Sequence, residues 1–226
     1  MWKFDGFIPF LYDLVQHPLV GEIIIVDNNE TERPLDNIFK FEPKIRIESF
    51  GRNIFVNPVW NYGVKNALYD KICVMNDDMV FDTRVFNRVY PFIKEENGTI
   101  GINIMPCPQQ KKDGQIRIVP YTTDMPCFGF GLLFFTHRNS YEMIPEGLEL
   151  FFGDNFIFDN SIWRNKPMYV IMDLFYYTPF AATCSTLGSI VGEKFDKEKW
   201  IYKEIIKSKG HNPKTWCKDL YGNDPD

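Results

Sequence analysis

The 226-residue sequence holds only three histidines and five cysteines. Cys73, Cys107, Cys127, Cys184 and Cys217 are an odd set with no CxxC spacing and no secretory leader ahead of them, so no disulfide framework can be read and a reducing, cytoplasmic setting is expected. The echo of Met105-Pro106-Cys107 in Met125-Pro126-Cys127 reads as two short proline loops. His17, His137 and His211 have no ligand-like neighbours, and no Ser-His-Asp or Cys-His arrangement can be read from spacing. A P-loop and a GxGxxG are both missing, which removes the usual signatures of nucleoside triphosphatases and dehydrogenases. No apolar run approaches the ~20 residues a membrane span needs. Basic excess is missing too: 25 Lys and Arg stand against 30 Asp and Glu, a net charge of -5. That balance argues against a protein holding a nucleic acid through a basic surface, but leaves room for a small anionic ligand met by local donors and a cation.

Apolar residues make up 45% of the chain, and 21 Phe and 11 Tyr help raise the aromatic share to 16%. That is enough to fill the core of one substantial α/β domain. Helical spacing from Asp5 ends near His17-Pro18. The β-branched run from Glu22 to Val26 closes on Asp27-Asn28-Asn29, and a second strand is expected over Lys44–Phe50. A helix over Val59–Tyr69 leads to a strand over Lys71–Met75 that runs into Asn76-Asp77-Asp78. Asp82 is placed to cap a helix reaching about Lys94, with Val85, Val89, Phe92 and Ile93 on one face.

Beyond these come a strand over Thr99–Ile104, a polar excursion over Gln109–Asp124 with a strand at Gln115–Val119, and an apolar strand over Phe128–Thr136. A short helix is expected from Ser140, another over Asn155–Trp163, a strand over Met168–Met172, and an amphipathic helix over Lys194–Lys209. The alternation predicts an α/β fold with a mainly parallel central sheet, helices on both faces, and ligands at the carboxyl ends of strands.

Three acidic clusters fall at such ends. Asp27 suits either a strand-end turn or recognition of a nucleotide base or ribose. Asp77 and Asp78, adjacent after a buried strand, repel each other unless a cation or donors compensate. Mg²⁺ or Mn²⁺ would do so and keep coordination positions for diphosphate oxygens; a solvated loop is the alternative. Asp154 follows Phe151-Phe152-Gly153 at a helix start, where capping and service as a general base are compatible. Lys65 reads as an exposed helix lysine or a phosphate contact.

Taken in order, Glu22 to Asn29 (EIIIVDNN), Asn57-Pro-Val-Trp-Asn61-Tyr-Gly63, Val74-Met-Asn76-Asp77-Asp78, Phe128-Gly-Phe-Gly131 and Phe151-Phe-Gly-Asp154 resemble the family 2 glycosyltransferases of the GT-A fold. The resemblance covers roughly residues 5–163. It implies one GT-A-like domain over 1–226, with a nucleotide-sugar half over about 1–104, an acceptor half over about 105–193 and the C-terminal helix over about 194–209. It implies sugar transfer from an NDP-sugar to an acceptor hydroxyl with inversion, assisted by Mn²⁺ or Mg²⁺.

By position, the resemblance puts donor contacts on Asp27, Asn28, Asn29, Asn57, Asn61, Lys65, Asn76 and Asp77, metal on Asp78 with Asp77, and the base on Asp154. The strand at Gly129 to Gly131 would border the acceptor pocket. Small stand-alone relatives resemble those of phages and large DNA viruses, which would put the protein in host cytoplasm. The acceptor would be a glycan, a protein glycan or a modified nucleobase, and a homo-oligomer is open. Two other classes stay in view: a sugar nucleotidyltransferase, for which no N-terminal Gly-rich basic loop is present, and a catalytically silent nucleotide-sugar-binding module.

Departures from the family pattern carry their own expectations. Asn76 replaces the first carboxylate of the DxD, and Thr183-Cys184-Ser185-Thr186 lacks the histidine many relatives give the metal. Met1-Trp2-Lys3-Phe4 stands where the family's first strand would already have ended, so either the sheet begins with the Glu22–Val26 strand and the family's first strand is missing, or the natural protein starts further upstream. A weakened nucleotide pocket or compensation by a partner chain would follow.

Overall fold

The computed structural model describes residues 6–28, 39, 41–102, 115–122, 125, 130–178 and 190–210. Helix α1 (Phe7–Gln16) buries Phe7, Phe10, Leu11, Leu14 and Val15 along one stripe and ends where His17 turns extended before Pro18. Strands β1 (Ile23–Asp27) and β2 (Ile45–Ser49) pair in parallel, with Asp27 opposite Ser49.

Helix α2 (Val56–Asn66) begins three residues earlier than its apolar pattern suggested. Pro58 lies in its first turn, where the missing N–H has no intrahelical partner to lose. Strand β3 (Lys71–Met75) matches the expected run, and the short β4 (Val80–Phe81) pairs with β9 (Tyr176–Tyr177), a two-stranded ladder with too little periodicity to be read from sequence.

The helix expected from Asp82 to Lys94 is shorter. It is α3 (Val85–Val89) followed by a 3-10 turn at Tyr90–Phe92, because Pro91 cannot continue an α-helix. Asp82 does not cap it in the expected way: its Oδ1 accepts the Arg84 backbone N–H at 3.0 Å and its carboxylate pairs with the Arg84 guanidinium.

Strands β5 (Ile100–Ile102), β6 (Arg117–Pro120), β7 (Leu133–His137) and β8 (Tyr169–Met172) join β3 in a five-stranded sheet of order β3-β7-β5-β8-β6. The α/β architecture stands, while strand directions within this sheet are mixed. Only β5 and β8 are parallel; β7 is antiparallel to both β3 and β5, and β6 to β8. The strand-helix alternation that implies parallel crossovers holds only to about residue 100, after which no helix is described before β6 or β7. Phe130–Leu132, expected as strand, is a 3-10 turn, and Arg138–Ser140 forms another where a helix was to begin.

Helix α4 (Gly153–Trp163) and helix α5 (Ile190–Ser208) complete the described elements. Successive β7 side chains split between two cores. Leu133 and Phe135 pack with α1 and α3, and Phe134 packs with Trp60 and Val64 of α2, Phe156 of α4 and Tyr202 of α5. The sheet is therefore covered on both faces, which leaves its strand ends for polar chemistry. No described helix is long and apolar enough to cross a membrane.

Candidate active site

Asp27 ends β1 and is only 3% exposed, so its carboxylate sits in the fold rather than on a solvated turn. Next to it, Asn28 accepts the Ile54 backbone N–H through Oδ1 at 3.1 Å, which ties the β1 end to the start of α2. Asn29 lies outside the described residues.

At that start Asn57, 1% exposed, donates from Nδ2 to the Phe151 carbonyl at 2.9 Å while its own N–H bonds Glu149 O at 2.9 Å. A Cβ on Gly153 would stand 2.0 Å from Asn57 Oδ1, so glycine is required there for α2 to approach α4. Asn61 is likewise committed to the protein: it accepts from Tyr141 Oη and Ile144 N and donates to Ile144 O, each at 2.9 Å. These two asparagines brace the loop leading to Asp154. Lys65 is exposed in the last turn of α2, about 12 Å along the helix from Asn57, and is not brought to the cluster.

Asp154 lies in the first turn of α4 and is partly buried, its carboxylate against Gly131 and accepting N–H groups of Asn155, Gly131 and its own residue. Burial pushes its carboxyl above its ordinary value, against the opposing pull of those three donors. The next residue along, Leu132, accepts the Asn76 N–H through its carbonyl at 3.0 Å. A two-residue backbone bridge, Gly131–Leu132, therefore joins Asp154 to the Asn76-Asp77-Asp78 turn.

In that turn Asp77 is exposed and Asp78 partly buried. Burial first, and the Asp77 charge second, push the Asp78 carboxyl up. Its Oδ1 is buried with no hydrogen-bond partner. A buried carboxylate oxygen without a donor, beside a second carboxylate, suits a hard divalent cation that takes oxygen ligands and fills its remaining positions with water and diphosphate. Among the described residues no group of three or more His, Cys, Asp or Glu is placed to hold a metal ion, and Thr183 to Thr186 lie outside the described residues.

Sequence reasoning missed a clamp behind Asp154. Glu198 of α5, 1% exposed, accepts the N–H groups of Leu150 at 3.0 Å and Phe151 at 2.7 Å. Lys194, one turn earlier, pairs with Glu149 and stands 3.9 Å over the Phe55 ring. The signal was a charged residue inside the apolar stripe Phe195, Glu198, Tyr202, Ile205.

Phe55 and Phe152, at φ 64° and 58°, hold backbone conformations uncommon for bulky side chains. They flank Asn57 and Asp154, so this clamp holds the loop under strain. Glu198→Ala leaves two part-buried N–H groups without their acceptor and is expected to lower stability by about 2 kcal/mol, read as a drop in the urea midpoint.

The layered α/β sheet thus carries an acidic turn after β3 and a carboxylate at the start of α4. The model of glycosyl transferase family 2 matches residues 11–148, over half of the chain, and the chain belongs to that family. Comparison with curated protein sequences finds no match.

Among solved structures, S. aureus TarS 1-349 superposes with a TM-score of 0.56 at 16% identity, covering 76% of this chain and 56% of that one. The same protein in complex with UDP-GlcNAc gives 0.54 at 14% identity, with 76% and 53% covered. GalNAc-T7 with UDP, GalNAc and Mn2+ gives 0.53 at 14% identity, with 70% and 38% covered. The chain thus spans about half, or less, of the length of these structures.

Proposed function

We propose that this protein transfers a sugar from a nucleotide-diphosphate sugar to an acceptor hydroxyl with inversion, Asp154 being the base and Asp78 with Asp77 the diphosphate-side carboxylates. The observation carrying this reading is the backbone bridge through Gly131 and Leu132, which ties Asp154 to the turn that holds Asp78, whose buried Oδ1 lacks a donor. Asp154 takes the acceptor's proton, the acceptor oxygen forms its bond to the anomeric carbon, and the bond to the diphosphate breaks on the opposite face. A Mn²⁺ or Mg²⁺ ion on Asp78 and Asp77 would stabilise charge on the departing diphosphate.

In this reading Asp27, at the end of β1, meets the nucleoside, with Asn28 and Asn76 as further donor contacts. Asn57 and Asn61 act by holding the loop that carries Asp154. The family membership and the UDP-bearing neighbours support a UDP-sugar donor as the first to test.

The test is release of nucleoside diphosphate from UDP-GlcNAc, UDP-glucose, GDP-mannose and dTDP-glucose with Mn²⁺, Mg²⁺ or a chelator. Metal-dependent release from at least one donor is expected. Release from none, under either metal, contradicts the transferase reading and leaves a binding module.

A further inference from the structure

The loop that leads into Asp154 does not hold its own shape. Phe152 takes left-handed backbone angles, φ 58° and ψ 7°, which a bulky side chain rarely adopts. No side-chain cap fixes the start of α4 at Phe152; Asp154 instead turns its carboxylate onto the Asn155 N–H at 2.9 Å. The aim of Asp154 thus depends on a residue two positions upstream whose preferred conformation is different. Gly153, which lies between them, resists little if Phe152 relaxes.

Helix α5 supplies the restraint. Phe195, Glu198 and Tyr202 stand three and four residues apart, on one face of that helix. Phe195 meets the Phe151 ring edge-on at 5.2 Å, and Tyr202 stacks on the Phe152 ring at 5.4 Å and 16°. Between them, Glu198 Oε2 accepts the Leu150 N–H at 3.0 Å and the Phe151 N–H at 2.7 Å. Ring contacts tolerate changes of direction, whereas two N–H groups converging on one carboxylate oxygen fix where the backbone runs. Burying a carboxylate is unfavourable for α5 itself, and an apolar residue in the same stripe would cost less. What this carboxylate secures is the loop.

The other side of Asp154 gives a way to see the effect. Its carboxylate also takes the Gly131 N–H, and a Cβ on Gly131 would stand 3.1 Å from Asp154 Oδ2. Gly131 lies in the turn that leads into β7, in a different part of the chain from the loop. Its amide therefore reports where the Asp154 carboxylate sits.

We propose that Glu198 is a positioning residue for the base. By accepting the Leu150 and Phe151 N–H groups it holds Phe152 left-handed and sets the Asp154 carboxylate in place, which makes α5 part of the transfer machinery. The proposal rests on Asp154 being the base.

The test compares wild type with Glu198→Leu, similar in size but without an acceptor, and with Glu198→Gln, which keeps one. Glu198→Ala replaces the leucine variant if that does not fold. Hydrogen exchange resolved by residue is read at Gly131 and Asn155, with Ile100–Ile102 of β5 as the gauge of global opening. Nucleoside diphosphate release with Mn²⁺ is read from UDP-GlcNAc, UDP-glucose, GDP-mannose and dTDP-glucose, water serving as the hydroxyl. In Glu198→Leu the Gly131 and Asn155 amides are expected to exchange about tenfold or more faster, beyond any change in β5. The kcat is expected to fall about ten- to hundredfold, with donor KM within about twofold of wild type. Glu198→Gln should recover most of both.

Acceleration shared equally by β5 overturns the proposal, because Glu198 would then only stabilise the fold. So does an unchanged Gly131 amide, which would mean that Asp154 keeps its place without Glu198. A folded leucine variant with unchanged kcat, a loss carried by KM, or a glutamine variant as poor as the leucine one overturns it too. If the wild type releases no diphosphate from any donor, the transferase reading fails instead, and the Gly131 and Asn155 amides still decide whether Glu198 places Asp154.

Discussion

Asp154→Asn is expected to lower sugar transfer by about a hundred- to ten-thousand-fold, the range for losing a general base, with UDP affinity unchanged within about twofold. Only the carboxylate form can take the acceptor's proton. Because burial raises the Asp154 pKa, wild-type turnover should fall on acidification at a pH above that of an ordinary aspartate, and the residual activity of the variant should lack this limb.

Stability should move the other way. A carboxyl whose pKa is higher folded than unfolded favours the folded state most below the unfolded pKa, and that contribution is lost as pH rises through the folded value. Above its folded pKa the ionised Asp154 is therefore a burden that asparagine removes, and there the urea midpoint of the variant should equal or exceed that of wild type. Full turnover in Asp154→Asn, measured as diphosphate release with a responsive acceptor, would remove Asp154 from the role of base.

Asp78→Ala is expected to abolish the metal-dependent part of nucleotide binding. The loss is on the order of 3 kcal/mol, about a hundredfold in Kd, as when one side of a partly buried ionic contact is removed. Its carboxyl is also raised, by burial and by Asp77, so the same sign holds: above the folded pKa of Asp78, metal-free stability should rise as binding falls. A variant that binds worse while folding better is what a site maintained against stability predicts. Asp77→Ala, at an exposed position, should lose less affinity than Asp78→Ala.

Much of the first hundred residues was legible because β-branched runs and helical stripes there agree with the final elements; β3 was read at its observed bounds from five consecutive residues. The acidic strand ends were legible for the same reason, since Asp27 closes and Asp77 with Asp78 follow apolar strands. Tertiary contacts decided the rest. Nothing in the local pattern of Phe130–Leu132 distinguishes a 3-10 turn from a strand; the approach of Gly131 to Asp154 does.

Asn57 and Asn61 were read as donor contacts because the resemblance puts that turn and helix near the nucleotide; their bracing partners, 80 and 94 positions away for the bonds to Tyr141 and Phe151, are invisible to spacing. Glu198 was hidden in the same way, its partners lying in the loop before α4.

The most direct test is isothermal calorimetry of UDP with the wild-type protein and with Asp78→Ala, each with Mn²⁺ and with chelator. Wild-type binding that is tightened by Mn²⁺, with no such tightening in Asp78→Ala, is the predicted result. Absence of UDP binding under every condition, or binding equally strengthened by Mn²⁺ in both proteins, would contradict a donor site built on Asp78.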